Sequence, residues 1–141
     1  MGNCIFNLLI HWKVPYTATI HPQVVEMEPG RSCVKIKDRR RVRNHLQSIH
    51  AVALMNLGEA ASGLAVMASI PAEARAILTH LEIDYLKKAR GTLTAVGEFK
   101  PISTDFSENK DYAAAASIYN EAKEEVARVK ALWRIRPWKR N

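Results

Sequence analysis

Residues 43–70 read RNHLQSIHAVALMNLGEAASGLAVMASI, the longest apolar passage in the chain. Ala, Leu and Met dominate it, and these are strong helix formers. Ser48 is placed to cap a helix at its start. Pro71 closes it, because the residue before a proline is pushed out of helical backbone. The passage is long enough to cross a bilayer, but His50, Asn56 and Glu59 lie inside it, and an ionisable group at the bilayer centre is expensive. It therefore reads as the buried helix of a globular domain, apolar nearly all round and enclosed by the rest of the fold. Gly58 and Gly63 each cost ~1 kcal/mol relative to Ala, which makes sense where backbone or a ligand must come close. Glu59 is the anomaly. An unpaired buried carboxylate pairs or shifts its pKa, or else serves chemistry.

Upstream of this helix the pattern is strand-like. Thr17, Thr19 and Ile20 favour β structure until His21-Pro22 breaks the run. Val24 to Met27 reads as a strand, Pro29-Gly30 as a turn, and Ser32 to Lys37 as the returning strand with Ser32, Val34 and Ile36 on one side. A basic loop follows, with Arg39, Arg40, Arg41 and Arg43 close together, either solvated or suited to phosphate.

Downstream, residues 76–85 alternate, placing Ile77, Thr79, Leu81 and Ile83 on one face. Residues 92–99 resume as a strand, and 101–111 are polar loop. The segment 112–135 is Ala- and Glu-rich, which favours helix by propensity. However, Ala127, Val129, Ala131, Trp133 and Ile135 alternate with Arg128, Lys130, Leu132 and Arg134. Pattern outranks propensity here, giving strands at about 112–119 and 125–135 joined by a turn at 120–124. The sum is an α+β domain: hairpin, long helix, then a meander of strands in one antiparallel sheet.

The 141 residues suit one domain with a real core. Residues 1–14 read as a short N-terminal packing segment and 15–137 as the domain core. The net charge of +7, from 21 basic and 14 acidic residues, favours anionic partners. The basic residues are scattered and lack stacking aromatics, which argues against nucleic acid. Cys4 and Cys33 have no metal or redox spacing and read as reduced thiols. That points to an intracellular, cytoplasmic setting, with mitochondrial the alternative. Gly2 and Cys4 hint at acylation, but Phe6 occupies the position where the myristoylation pattern wants Ser or Thr. No metal-binding motif, Walker loop or dinucleotide fingerprint appears.

Asn44, then His50-Ala51, then Glu59 followed by Ala60-Ala61-Ser62-Gly63, together with the segment Ile83-Asp84-Tyr85-Leu86-Lys87-Lys88-Ala89-Arg90-Gly91, resemble the hotdog-fold thioesterase superfamily. The branch they are most similar to is that of phenylacetate-degradation-type acyl-CoA thioesterases. The similarity covers roughly residues 15–137. It implies a curved antiparallel sheet wrapped around one central helix, two such units pairing as a homodimer, and in some members a tetramer. It also implies an acyl-CoA or acyl-carrier thioester as substrate, with coenzyme A part of that substrate and no separate cofactor or metal. The family's His-Gly-Gly is His50-Ala51-Val52 here.

The roles implied by the resemblance are specific. Glu59 is the general base or the nucleophile. The Ala51 N–H holds the thioester oxygen at the helix start. Asn44 orients water or the carboxylate, and His50 shapes the turn. Thr79 is a candidate for holding Glu59 or water. Arg43, Lys87, Lys88 and Arg90 meet the phosphates of coenzyme A. Two other functions fit the same fold: a non-catalytic acyl-thioester-binding protein, and a hydratase or dehydratase, against which the Asn-His-Glu spacing argues.

Overall fold

The long apolar stretch folds as helix α3 (Ala51–Met67), and the rest of the chain is arranged around it. The computed structural model describes residues 2–139; Met1 and residues 140–141 of the expected domain lie outside the described residues. The N-terminal segment is helical: α1 (Gly2–Lys13) is followed by one turn, α2 (Pro15–Ala18). Six strands follow in chain order: β1 (Gln23–Glu28), β2 (Arg31–Ile36), β3 (Ala74–Tyr85), β4 (Leu93–Glu98), β5 (Lys110–Tyr119) and β6 (Glu125–Pro137). They form one antiparallel sheet in the order β1-β2-β4-β5-β6-β3. This is the α+β hotdog arrangement, with the sheet curved around α3.

The alternation read in the last third holds. Val129, Ala131, Trp133 and Ile135 are buried on β6, while Arg128, Lys130, Leu132 and Arg134 face out. The inner faces of β2 (Ser32, Val34, Ile36) and β4 (Leu93, Ala95) meet α3, where Leu54, Leu57 and Ala61 are buried against them. Burial of such side chains contributes roughly 1.5–3 kcal/mol each for the larger ones.

The helix comes unusually close to the sheet. A Cβ on Gly58 would stand 2.2 Å from Val129 Cγ2, so only glycine fits there.

Four expectations need correction. Residues around Thr17 do not extend as a strand. Pro15 occupies the start of a helical turn, where its fixed φ and missing N–H are tolerated, and Thr19 Oγ1 donates to the Tyr16 carbonyl at 2.6 Å. Ser48 is not the cap of α3. Its backbone is held in a turn by Asn44, and the helix starts two residues later with His50 as cap, whose Nδ1 accepts the Val52 N–H at 3.1 Å. The proposed face of β3 is split by a register shift between Leu78 and His80, so Ile77 and Thr79 point away while Leu81 and Ile83 pack on the core. The polar loop expected to run to 111 ends earlier, since β5 begins at Lys110.

At the other margin of the sheet, α1 lies against β1, and Asn7 Oδ1 accepts the Val24 N–H at 2.8 Å. A second register shift falls between Val24 and Glu26. Among the described residues no helix is long and apolar enough to cross a membrane.

Candidate active site

Helix α3 is not enclosed on every side. Ala53, Leu54, Leu57, Ala61 and Leu64 are buried, but Val52 is exposed and Met55 and Glu59 are half-buried. These three recur at helical spacing and form a stripe that the sheet does not cover. Glu59 makes no side-chain hydrogen bond or ion pair among the described residues. Burial alone pushes its carboxyl above the ordinary range.

Two hollows meet at this residue. One is a groove of about 390 Å³ lined by Tyr16, Thr17, Val52, Met55, Asn56, Glu59 and Leu81. The other is an apolar pocket of about 320 Å³ beneath α1, which Glu59 and Thr17 also line. Asn56 Nδ2 donates to the Tyr16 carbonyl at 3.5 Å, tying α2 to the helix beside the groove.

The start of α3 forms a separate depression of about 380 Å³, lined by Asn44, Ser48, Ala51, Tyr85, Lys87 and Lys88 among others. Asn44 Oδ1 accepts the N–H of Leu46 at 2.9 Å and of Ser48 at 3.2 Å, an Asx-type turn. The turn is pinned further by His50 N–H on the Val42 carbonyl and Ile49 N–H on the Ala89 carbonyl, both at 2.8 Å. Ala51 is the first residue of the helix, so its N–H has no intrahelical acceptor and points out at the positive end of the dipole.

The structure therefore brings Asn44, Ala51, Lys87 and Lys88 to one depression, with His50 shaping its rim. It does not bring Glu59 to them in the same chain. Eight residues at ~1.5 Å rise put Glu59 about 12 Å further along the helix axis.

The remaining site candidates have other engagements. Thr79 lies at the β3 irregularity and its Oγ1 donates to the Leu132 carbonyl at 3.2 Å, within its own sheet. Arg43 pairs with Asp38 at 2.6 Å. Burial works against ionisation of Asp38, but hydrogen bonds from Arg43 and the Gly91 N–H outweigh it and hold that carboxyl below its usual range. Lys87 is bound to Glu124, and bonds from Lys87 and Asn120 keep Glu124 ionised below its usual range. Arg90 Nη2 reaches the Leu46 carbonyl at 3.4 Å. Lys88 is exposed and without an ion pair among the described residues.

Three residues at these sites escaped the sequence reading. Tyr85 donates its hydroxyl to the Ala51 carbonyl at 3.0 Å, joining the end of β3 to the first turn of α3. Ser48 Oγ is buried, without a partner among the described residues, on the wall of the depression. Thr17 lines both hollows at Glu59. Tyr85 falls inside the Ile83–Gly91 motif segment, which was the available signal. Nothing in the local pattern marks the other two.

No cluster of three or more His, Cys, Asp or Glu side chains is placed to hold a metal among the described residues. Similar folds are found among solved structures. The crystal structure of a structural-genomics target superposes with a TM-score of 0.84 at 33% identity, over 97% of this chain and 91% of that one. The Pseudomonas aeruginosa protein of unknown function PA5026, described as a probable thioesterase, gives 0.81 at 20% identity, over 92% of this chain and 91% of its own. The Haemophilus influenzae thioesterase HI1161 gives 0.76 at 10% identity, over 89% and 85%. No curated protein sequence matches the chain. The family model of a domain of unknown function (DUF4442) matches residues 2–135. With nearly its whole length inside that match, the chain belongs to the DUF4442 family, and its hotdog fold is one that thioesterase structures share.

Proposed function

We propose that the protein is an acyl-CoA thioesterase that works as a homodimer. The observation that carries this reading is Glu59: a half-buried carboxyl with no partner among the described residues, raised in pKa by burial, on the one open stripe of a helix. A carboxyl tuned upwards in this way is a stronger proton acceptor than an ordinary one, which suits a general base.

In the proposed reaction the Glu59 carboxylate takes a proton from water, and the water oxygen attacks the thioester carbonyl carbon. The carbonyl oxygen becomes an oxyanion held by the Ala51 N–H at the positive end of α3. The tetrahedral intermediate collapses, the C–S bond breaks, and the proton on Glu59 passes to the departing thiolate. The products are a free acid and coenzyme A. Direct attack by Glu59, with a mixed anhydride then hydrolysed by water, uses the same groups.

The separation of about 12 Å along the helix between Glu59 and the Ala51 N–H supports the dimer. One chain offers each half of the machinery, and a second copy docked along the long edge of β3 would supply the missing half to each site. Asn44, with Oδ1 committed to its turn, keeps its Nδ2 donors for water or carboxylate. Lys88 and Lys87 line the depression at the start of α3 and would, in this reading, draw the phosphates of coenzyme A, with Arg43 and Arg90 adding positive charge nearby.

The test is thiol release from a panel of acyl-CoAs by the native protein and Glu59→Gln. The expected loss is roughly 10²–10⁴-fold in the variant, the usual contribution of a general base. Equal rates in both proteins, or no release from any ester, would replace catalysis with an acyl-thioester-binding role.

A further inference from the structure

The pocket beneath the N-terminal helix has an almost wholly apolar wall. Phe6, Leu9 and Ile10 of α1 form one side, Val24 and Val34 of the sheet another, and Trp133 lies across from Gly63 and Leu64 of α3. Its charged lining residues are Glu59 and Lys13. Gly63 makes the space: a Cβ there would stand 2.8 Å from the Trp133 ring. Ser62 holds that ring in place, its Oγ accepting the indole N–H at 3.4 Å and donating to the Glu59 carbonyl at 3.0 Å. The Trp133 wall and the Glu59 turn of the helix are thus fixed to each other.

From this geometry we infer that the pocket under α1 is a binding site for a medium-chain, unbranched acyl group of about eight to ten carbons, entering past Glu59 from the open groove. The volume sets the length. About 320 Å³ accommodates roughly ten groups at ~30 Å³ each, the share of a water molecule and close to that of a methylene. The lining sets the chemistry, since a mostly apolar pocket of this size gains from each methylene it buries, while its few polar groups, Lys13, Thr17 and Glu59, leave most of a tail against hydrocarbon. The position of Glu59 sets the direction. It lines both the groove and the pocket, so a tail in the pocket leaves its carboxyl-derived carbon at the junction. α1 is accordingly a specificity element, since it supplies one whole wall.

This inference rests on the thioesterase reading for the identity of the head group but is separable from it by experiment. The first measurement is quenching of Trp133 fluorescence by 10-bromodecanoic acid, in a Trp12→Phe/Trp138→Phe background. The second is kcat/KM for saturated acyl-CoAs from four to sixteen carbons, with Ala60→Leu and Phe6→Ala beside the native protein. Saturable quenching is expected, with an optimum at eight to ten carbons. Ala60→Leu should lower the ten-to-four-carbon ratio by roughly tenfold or more, because the added side chain displaces methylenes from the pocket. Phe6→Ala should move the optimum to longer chains. Saturable quenching without any hydrolysis would uphold the acyl pocket and remove the thioesterase reading. Hydrolysis with a flat chain-length profile and no quenching would overturn the pocket and leave the thioesterase reading standing. Absence of both would overturn the pocket as well.

Discussion

Gly97 on β4 lies directly over the carbonyl of Ala61 on α3, so close that a Cβ at position 97 would stand 2.1 Å from that oxygen. The same oxygen accepts the buried Ser32 hydroxyl at 2.6 Å. Backbone cannot rotate out of the way as a side chain can. Gly97→Ala must therefore lift the helix from the sheet, at a cost of about 3 kcal/mol, the upper part of the range for overpacked cores. Ser32→Ala removes one hydrogen bond from a carbonyl that lies within a helix and should cost only about 1 kcal/mol. Urea denaturation of the two variants should rank them in that order.

Glu59→Gln should stabilise the protein at neutral pH while it sharply lowers thiol release. A carboxyl whose folded pKa is raised binds its proton more tightly in the folded state. The native protein therefore loses stability as pH rises from the unfolded value of ~4.3 through the raised folded one. Melting temperatures of native and variant should coincide near pH 4 and separate above it, the variant higher. Catalysis should show the opposite limb, rising with pH around a midpoint above the usual Glu value, because the base must be ionised. A native protein that is the more stable of the two at pH 7 would contradict the burial of this carboxyl without a partner.

His50 caps α3 through Nδ1, a task that needs only an acceptor atom at that place. His50→Asn should retain both stability and thiol release, whereas His50→Ala should lose about 1 kcal/mol, the usual worth of a cap. A large fall in kcat for His50→Asn at unchanged stability would make the imidazole a participant in the reaction.

Lys88→Ala should raise KM for acyl-CoA two- to five-fold, the equivalent of up to ~1 kcal/mol for an exposed charge. It should leave kcat in place and flatten the dependence of KM on salt. Arg43 and Lys87 already hold Asp38 and Glu124, so their removal should disturb the loops as well as the substrate. Initial rates at low and high ionic strength separate the two effects.

The strand pairing of the last third was legible because Ala127 to Ile135 alternate strictly, which outweighed an Ala-rich helical propensity. The central helix was legible from its apolar run. Its first residue was not, since Asn44 captures the Ser48 N–H in a local turn and leaves the capping to a histidine. The register of β3 was hidden because an irregularity between Leu78 and His80 inserts a residue and flips Thr79 outwards, and no residue in that run announces it. The wall supplied by α1 was also out of reach. Phe6 and Ile10 acquire their role only where the chain returns as β1 and β2. The types at the site were visible as Asn44, His50, Ala51 and Glu59, and their division between two places follows once the eight residues from Ala51 to Glu59 are multiplied by the helix rise.

The contact between Asn7 and Val24 has a consequence for assembly. A sheet with two open margins can add copies of itself without end. Here one margin is spoiled: α1 lies along β1, Asn7 takes an N–H that another strand would need, and the register shift after Val24 interrupts the ladder. Among the described residues, β6 is the one strand that β3 pairs with at the opposite margin, along its twelve residues. Copies that meet through the same single margin can only close as a pair, because the two-fold contact uses up the edge it is made from. In the proposed dimer the N-terminal helix would thus bar growth from the far margin, and the length of β3 could be kept without that hazard.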